Sequence, residues 1–266
     1  MNMENEDLNK FYTNLREDIN STWISEEEGA NPEQIFTGIA LSYLADAGET
    51  ENYSVCFDEK VTGRGIVHKL NGYSLYENYE TLDLFVTIYN PDSSVQRVPK
   101  PEAQKAIERA LKFFRNAIYG DYVNEIEKSS EIHDIAHTLS KAPEVKEYLS
   151  RVNIFLITNG FYDGDLESKN SISGFNIFYR TIDINYLFNL SDKSRVPIEI
   201  DFSELGFDIP CIANETKNSE YQCWLAIIPG EALARIYEKY GARLLEQNVR
   251  SFLQFTGKIN KGIKST

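Results

Sequence analysis

Residues 81–89 constrain this chain more than any other stretch, because Leu82, Leu84, Val86 and Ile88 alternate with Asp83, Phe85, Thr87 and Tyr89. Side chains of a strand point to opposite faces in turn, so the run has one aliphatic face and one mixed face bearing a single carboxylate. That pattern predicts a central strand with Asp83 and Phe85 turned to the same side. Strand-like runs at 53–61 and 66–76 precede it, with gaps that suit hairpins or a meander.

Helical signals flank this block. Residues 3–20 carry Leu8, Phe11, Tyr12, Leu15 and Ile19 at helical spacing, and the acidic run Glu26, Glu27, Glu28 then reads as a solvated loop. Asn31 as N-cap, Pro32 at the first helical position and Ile35, Phe36, Ile39, Ala40, Tyr43 and Leu44 on one stripe predict a second helix, which Gly48 ends. After Pro99 and Pro101, a stripe of Ala103, Ala106, Ile107, Ala110, Leu111, Phe114, Ala117 and Ile118 predicts a third. Shorter helices are expected within 121–149. Strands are expected at 152–158, 175–179, 198–202 and 223–228, then helices at 230–240 and about 242–253. The order α-β-β-β-α-β-β predicts an α/β (α+β) domain, with a mixed central sheet flanked by helices.

Composition narrows the setting. With 42% hydrophobic residues in 266, the chain has ample material for a core. Cys56, Cys211 and Cys223 are too few and scattered for a disulfide framework and lack CxxC pairing, so a reducing, cytoplasmic setting is expected. The N-terminus has no apolar segment that would make it a signal peptide, and no run reaches membrane-spanning length. A net charge of -14 argues against broad nucleic-acid binding. The charge is uneven: residues 1–60 hold fourteen Asp/Glu against three Lys/Arg, whereas residues 207–266 hold six against eight.

Several motifs carry chemistry only on the surface. His133 and His137 in HDIAH stand one helical turn apart as in zinc metalloproteases, but Asp134 replaces the catalytic Glu, and His68 is the only other histidine. They read as polar residues on an amphipathic helix. Asp163, Asp165 and Glu167 lack the spacing of a calcium loop and read as a turn. Asp183 reads as a helix N-cap after the strand that carries Arg180. No phosphate-binding glycine loop and no GxSxG elbow occurs. The numerous Tyr and Phe residues fall at core spacing.

Two stretches resemble the abortive infection phage resistance (AIPR) family of bacterial proteins. In the C-terminal run, Tyr240-Gly241, Arg243-Leu244-Leu245, Asn248-Val249-Arg250 and Asn260-Lys261-Gly262-Ile263 match in register the segment where the family's namesake domain begins. LNGYSLYENYETLDLFVTIYN resembles the family's N-terminal region, which is similar to the restriction-endonuclease-like fold. The resemblance implies an acidic helical arm at 1–29, a nuclease-like α/β domain at 30–240, and the opening of the namesake domain at 241–266. The rest of such a protein is then its expected partner, and this chain the front of a longer one.

Nucleases of that fold hold Mg²⁺ with carboxylates, so that the metal activates water and stabilises the departing oxyanion while a lysine offsets charge. The resemblance implies an Asp on the second strand, an acidic residue and a lysine two positions apart on the third, and a glutamate from the first helix. Here Asp83 stands at the acidic position, Phe85 at the lysine position and Asn71 at the Asp position. Lys69, two before Asn71 and so on its face, offers a displaced cation, and Glu49 or Glu51 the helix carboxylate. Two readings follow: a Mg²⁺-dependent nuclease using Asp83, Asn71, Lys69 and Glu49 or Glu51, or a catalytically silent module of the same ancestry. Under the second, Asn71-Gly72 is a bulge or turn, and Asp83 a polar residue on a wetter strand face.

Overall fold

The alternating run becomes the third strand of a six-stranded mixed sheet in the computed structural model. The structure describes residues 3–25, 31–63, 65–120, 122–166, 171–172, 174–191, 200–203, 206, 208–213, 224–241 and 244. The chain divides into two units, residues 1–193 and 194–266. In the first, α1 (Met3–Ser25) and α2 (Pro32–Asp46) precede β1 (Ser54–Thr62), β2 (Gly65–Leu75) and β3 (Thr81–Ile88). Then come α3 (Lys100–Tyr119), a 3-10 turn at Tyr122–Asn124, α4 (His133–Lys141) and α5 (Pro143–Tyr148). β4 (Arg151–Thr158), β5 (Ser171–Ile172), β6 (Phe175–Ile182) and α6 (Ile184–Leu190) close the unit.

The sheet order is β1-β2-β3-β4-β6-β5. Strands β1 to β3 form an antiparallel meander, and β3, β4 and β6 run parallel. A parallel neighbour needs a crossover, which α3, α4 and α5 supply between β3 and β4. The predicted order α-β-β-β-α-β-β and the mixed sheet with helices on both faces are observed, with the two-residue β5 added at the edge.

The two faces of β3 set two cores. Leu82, Leu84 and Val86 pack with Ala103, Ile107, Ala110, Leu111 and Phe114, the stripe of α3. Phe85 instead joins Phe155 and Ile157 under Phe11, Leu15 and Ile19 of α1 and Phe36, Leu41 and Leu44 of α2. Both predicted caps form: Asn31 Oδ1 accepts from Gln34 N at 2.8 Å, and Asp183 Oδ1 from Tyr186 N at 2.9 Å.

At Asn71 the ladder slips. Val55 pairs with Gly72 but Asp58 with Leu70, so the β1–β2 register shifts opposite Asn71. The displaced Asn71 spends its amide oxygen on Thr87 N of β3, at 2.8 Å. The extra residue of this irregularity lies on β1, where Cys56 and Phe57 stand opposite Asn71, and on β2 Lys69, Asn71 and Gly72 all meet α2.

The second unit holds a ribbon of β7 (Cys211–Ala213) and β8 (Trp224–Ala226), antiparallel, and α7 (Gly230–Tyr240), whose Ala232 and Ile236 are buried one turn apart. The strand expected at 223–228 therefore forms a separate ribbon rather than joining the main sheet. Of the strand expected at 198–202, residues 200–202 are irregular and the rest lies outside the described residues, as does nearly all of the helix expected at 242–253. Helix α1 runs five residues beyond the expected 3–20, to Ser25. Among the described residues no helix is long and apolar enough to cross a membrane.

Phe85 is fully buried between sheet and helices. Its truncation in Phe85→Ala is expected to cost about 3–5 kcal/mol, read as a lowered urea midpoint at unchanged slope.

Candidate functional site

On the α2-facing side of the sheet, pairing lays side chains out in rows. Ser74, Asp83, Asn153 and Phe178 form one row, and Gly72, Phe85, Phe155 and Arg180 the next. Helix α2 lies over these rows, its start near Asn71 and Thr87 and its exit near Asp83.

At the exit end, Asp83 is fully buried and caged by neutral donors. Asn153 Nδ2 donates to its Oδ1 at 2.7 Å, while Thr50 Oγ1 and the Tyr76 hydroxyl donate to Oδ2 at 3.1 and 3.3 Å. Burial pushes the carboxyl up to about 6, against the smaller downward pull of those hydrogen bonds and of Arg151. Burial likewise raises the Tyr76 hydroxyl, and the adjacent Asp83 raises it further. The expectation of a wetter face for Asp83 thus gives way to a sealed one. Next to it, Glu49 Oε2 pairs with Arg180 Nη2 at 2.9 Å and Glu49 Oε1 accepts from the Tyr186 hydroxyl at 2.5 Å. Glu51 meets the sheet through its backbone carbonyl, which accepts from Ser74 Oγ.

At the starting end of α2, Glu33 Oε1 takes Lys69 Nζ at 2.6 Å and Asn71 Nδ2 at 2.6 Å. Thr37 and Thr87 share a buried hydroxyl contact of 2.7 Å beside them. Asn71 and Lys69 are therefore brought together, as the spacing implied, but around Glu33 and not around Asp83. From Asp83 to Thr87, whose amide Asn71 binds, is four residues along a strand, about 13 Å at the usual rise. Phe85 stands between, stacked on Phe155 with centroids 5.0 Å apart and planes 26° apart.

Neither cluster offers the open carboxylate oxygens that Mg²⁺ requires. Both Asp83 oxygens already accept hydrogens, and Glu33 faces an ammonium. Among the described residues, no group of three or more His, Cys, Asp and Glu could hold a metal ion. The donor set does not fit the ion that the nuclease resemblance implies.

Sequence reasoning missed Glu33, Thr50 and Asn153, and it read Arg180 only as part of the strand before the Asp183 cap. Glu33 sits in the first turn after the Asn31-Pro32 cap, where an acidic residue is already accounted for by the helix dipole. Asn153 reaches Asp83 only because β4 pairs in parallel with Asp83 opposite Asn153. Of the remaining candidates, Asp163 is tied to Arg97 at 2.6 Å, and Glu167 lies outside the described residues. On the opposite sheet face His68 is buried, with Nε2 2.8 Å from Asp58 Oδ2 and 2.9 Å from the Tyr122 hydroxyl.

A mixed sheet with helices on both faces and two polar clusters beneath one helix define an α/β domain of the meander-and-crossover type. The family model described as abortive infection phage resistance protein N-terminal domain matches residues 36–189, more than half of the chain. The chain belongs to this family. The match runs from α2 to α6 and leaves out the C-terminal run. No curated protein and no solved structure matches the chain.

Because the folded Asp83 carboxyl titrates above its unfolded value of 3.8, folding favours the protonated form, and stability falls as pH rises from about 4 through about 6. At neutral pH the penalty is about 3 kcal/mol at most, at about 1.4 kcal/mol per pH unit. Asp83→Asn keeps the shape, and the Thr50 and Tyr76 hydroxyls rotate to accept. Chemical denaturation at pH 4 and pH 7 is expected to show that variant more stable than wild type at pH 7 and with a shallower fall between, the remainder coming from groups such as Asp183, which burial also raises.

Proposed function

We propose that this domain is a catalytically silent, nuclease-like module of a phage-resistance protein, serving recognition or assembly through contact with the rest of that protein. The observation that carries the reading is Arg180 on Glu49. A divalent ion in a nuclease of this layout would be held in part by the helix carboxylate, and here the Arg180 guanidinium already stands 2.9 Å from Glu49 Oε2. Asn71 supplies an amide where an anionic ligand belongs, and Phe85 fills the place of the charge-compensating lysine. Fold-level analogy carries no activity by itself, so the site decides.

The nuclease reading, with Mg²⁺ and Asp83, Asn71, Lys69 and Glu49 or Glu51 in catalytic roles, keeps one observation in its favour. Asp83 is a buried acid with a raised titration point, as general bases often are. Its three neutral donors account for the same burial without chemistry.

The test is full-length protein in phage-challenged cells, wild type against Asp83→Asn. Plaque counts on the variant are expected to equal those on wild type, and Mg²⁺ is expected to leave the melting temperature of the purified chain unchanged. Loss of protection by a variant that still folds would instead assign Asp83 a chemical role.

A further inference from the structure

We propose that His133 and His137 form a two-imidazole chelate for a divalent transition-metal ion of the nickel, copper or zinc kind, on the outer side of α4. Histidines four apart on a helix share a face, and here the rings lie 22° from parallel with centroids 6.1 Å apart. His137 is exposed, so its ring has room to turn toward His133 and a shared ion. His133 Nδ1 lies 3.4 Å from Asp134 Oδ1. A carboxylate in that place fixes the ring's tautomer and leaves Nε2 to the metal, the role that outer carboxylates play behind ligating histidines. The Asp that disqualifies HDIAH as a hydrolase motif thus suits it as a binding motif.

Rigidity comes from beneath. Ile135, Ala136 and Leu139 bury the inner side of α4 in the core, so the two histidines stand on a fixed base. The third histidine, His68, is engaged with Asp58 and Tyr122, so water completes the coordination. Imidazole selects the later first-row metals, Cu²⁺ above Ni²⁺ and Zn²⁺, whereas Mg²⁺ prefers oxygen and is left out. This site is independent of the clusters under α2.

The experiment is calorimetric titration of the untagged chain with NiCl2, with MgCl2 as control. One Ni²⁺ per chain is expected, with binding abolished in His137→Ala, weakened about tenfold in Asp134→Asn, and unchanged in Cys211→Ser, which removes an exposed free thiol. No saturable Ni²⁺ binding overturns the proposal. So does binding that His137→Ala leaves intact, or that Cys211→Ser removes. His137 is exposed, so its truncation leaves the core of α4 in place.

Discussion

Phe85 fills the middle of the α2-facing side of the sheet, and the polar residues around it answer to that one ring. Its row runs from Gly72 through Phe155 to Arg180. Gly72 belongs to the same packing, since a Cβ there would come within 3.0 Å of Leu41 Cδ1 and of the Ser54 carbonyl. A buried aromatic ring of this size contributes about 2–3 kcal/mol by area alone, more than the net worth of a typical hydrogen bond, about 1 kcal/mol. Packing therefore takes the centre of the face. Polar groups are confined to the two ends of α2, where the helix starts and where it leaves the sheet.

The charges at those ends are met in different ways. Glu33 is matched by Lys69 and Glu49 by Arg180, so each carboxylate has a cation beside it. Asp83 has no cation in its cage, only an amide and two hydroxyls. Neutral donors solvate a carboxylate less fully than water does, which is why its titration point rises. Buried pairs such as Glu49 with Arg180 add little net stability, because desolvation offsets attraction. They do fix geometry: Glu49 and Thr50, both just past α2, are tied respectively to β6 and β3, and this sets the angle at which the chain leaves the helix.

Periodicity made the frame legible. The period-two run at β3 announced a strand with two different faces, and the faces do meet different helices. Asn31-Pro32 and Asp183 announced helix starts by chemistry that acts within three residues, and such local signals survive folding. The site was less legible because its partners are set by register between distant strands. Lys69 and Asn71 were placed on one face by spacing alone, and that holds. Their carboxylate was sought just after Gly48, yet it is Glu33, at the opposite end of the same helix. Spacing along a chain says which residues share a face, but not which end of a crossing helix they meet.

The acidic N-terminal charge has a definite mounting. Phe11, Tyr12, Leu15 and Ile19 bury the inner side of α1 in the second core, with Phe11 5.6 Å from Phe188 and 6.4 Å from Tyr43 between ring centroids. The Tyr12 hydroxyl donates to the Asp92 carbonyl at 2.9 Å, joining α1 to the loop after β3. Glu6, Glu17 and Asp18 are consequently held outward on a helix packed from Phe11 to Ile19, and among the described residues the exposed Lys10 pairs with Glu6 and Asp7. Fixed negative charge at such a surface repels phosphate at long range and attracts basic protein surfaces.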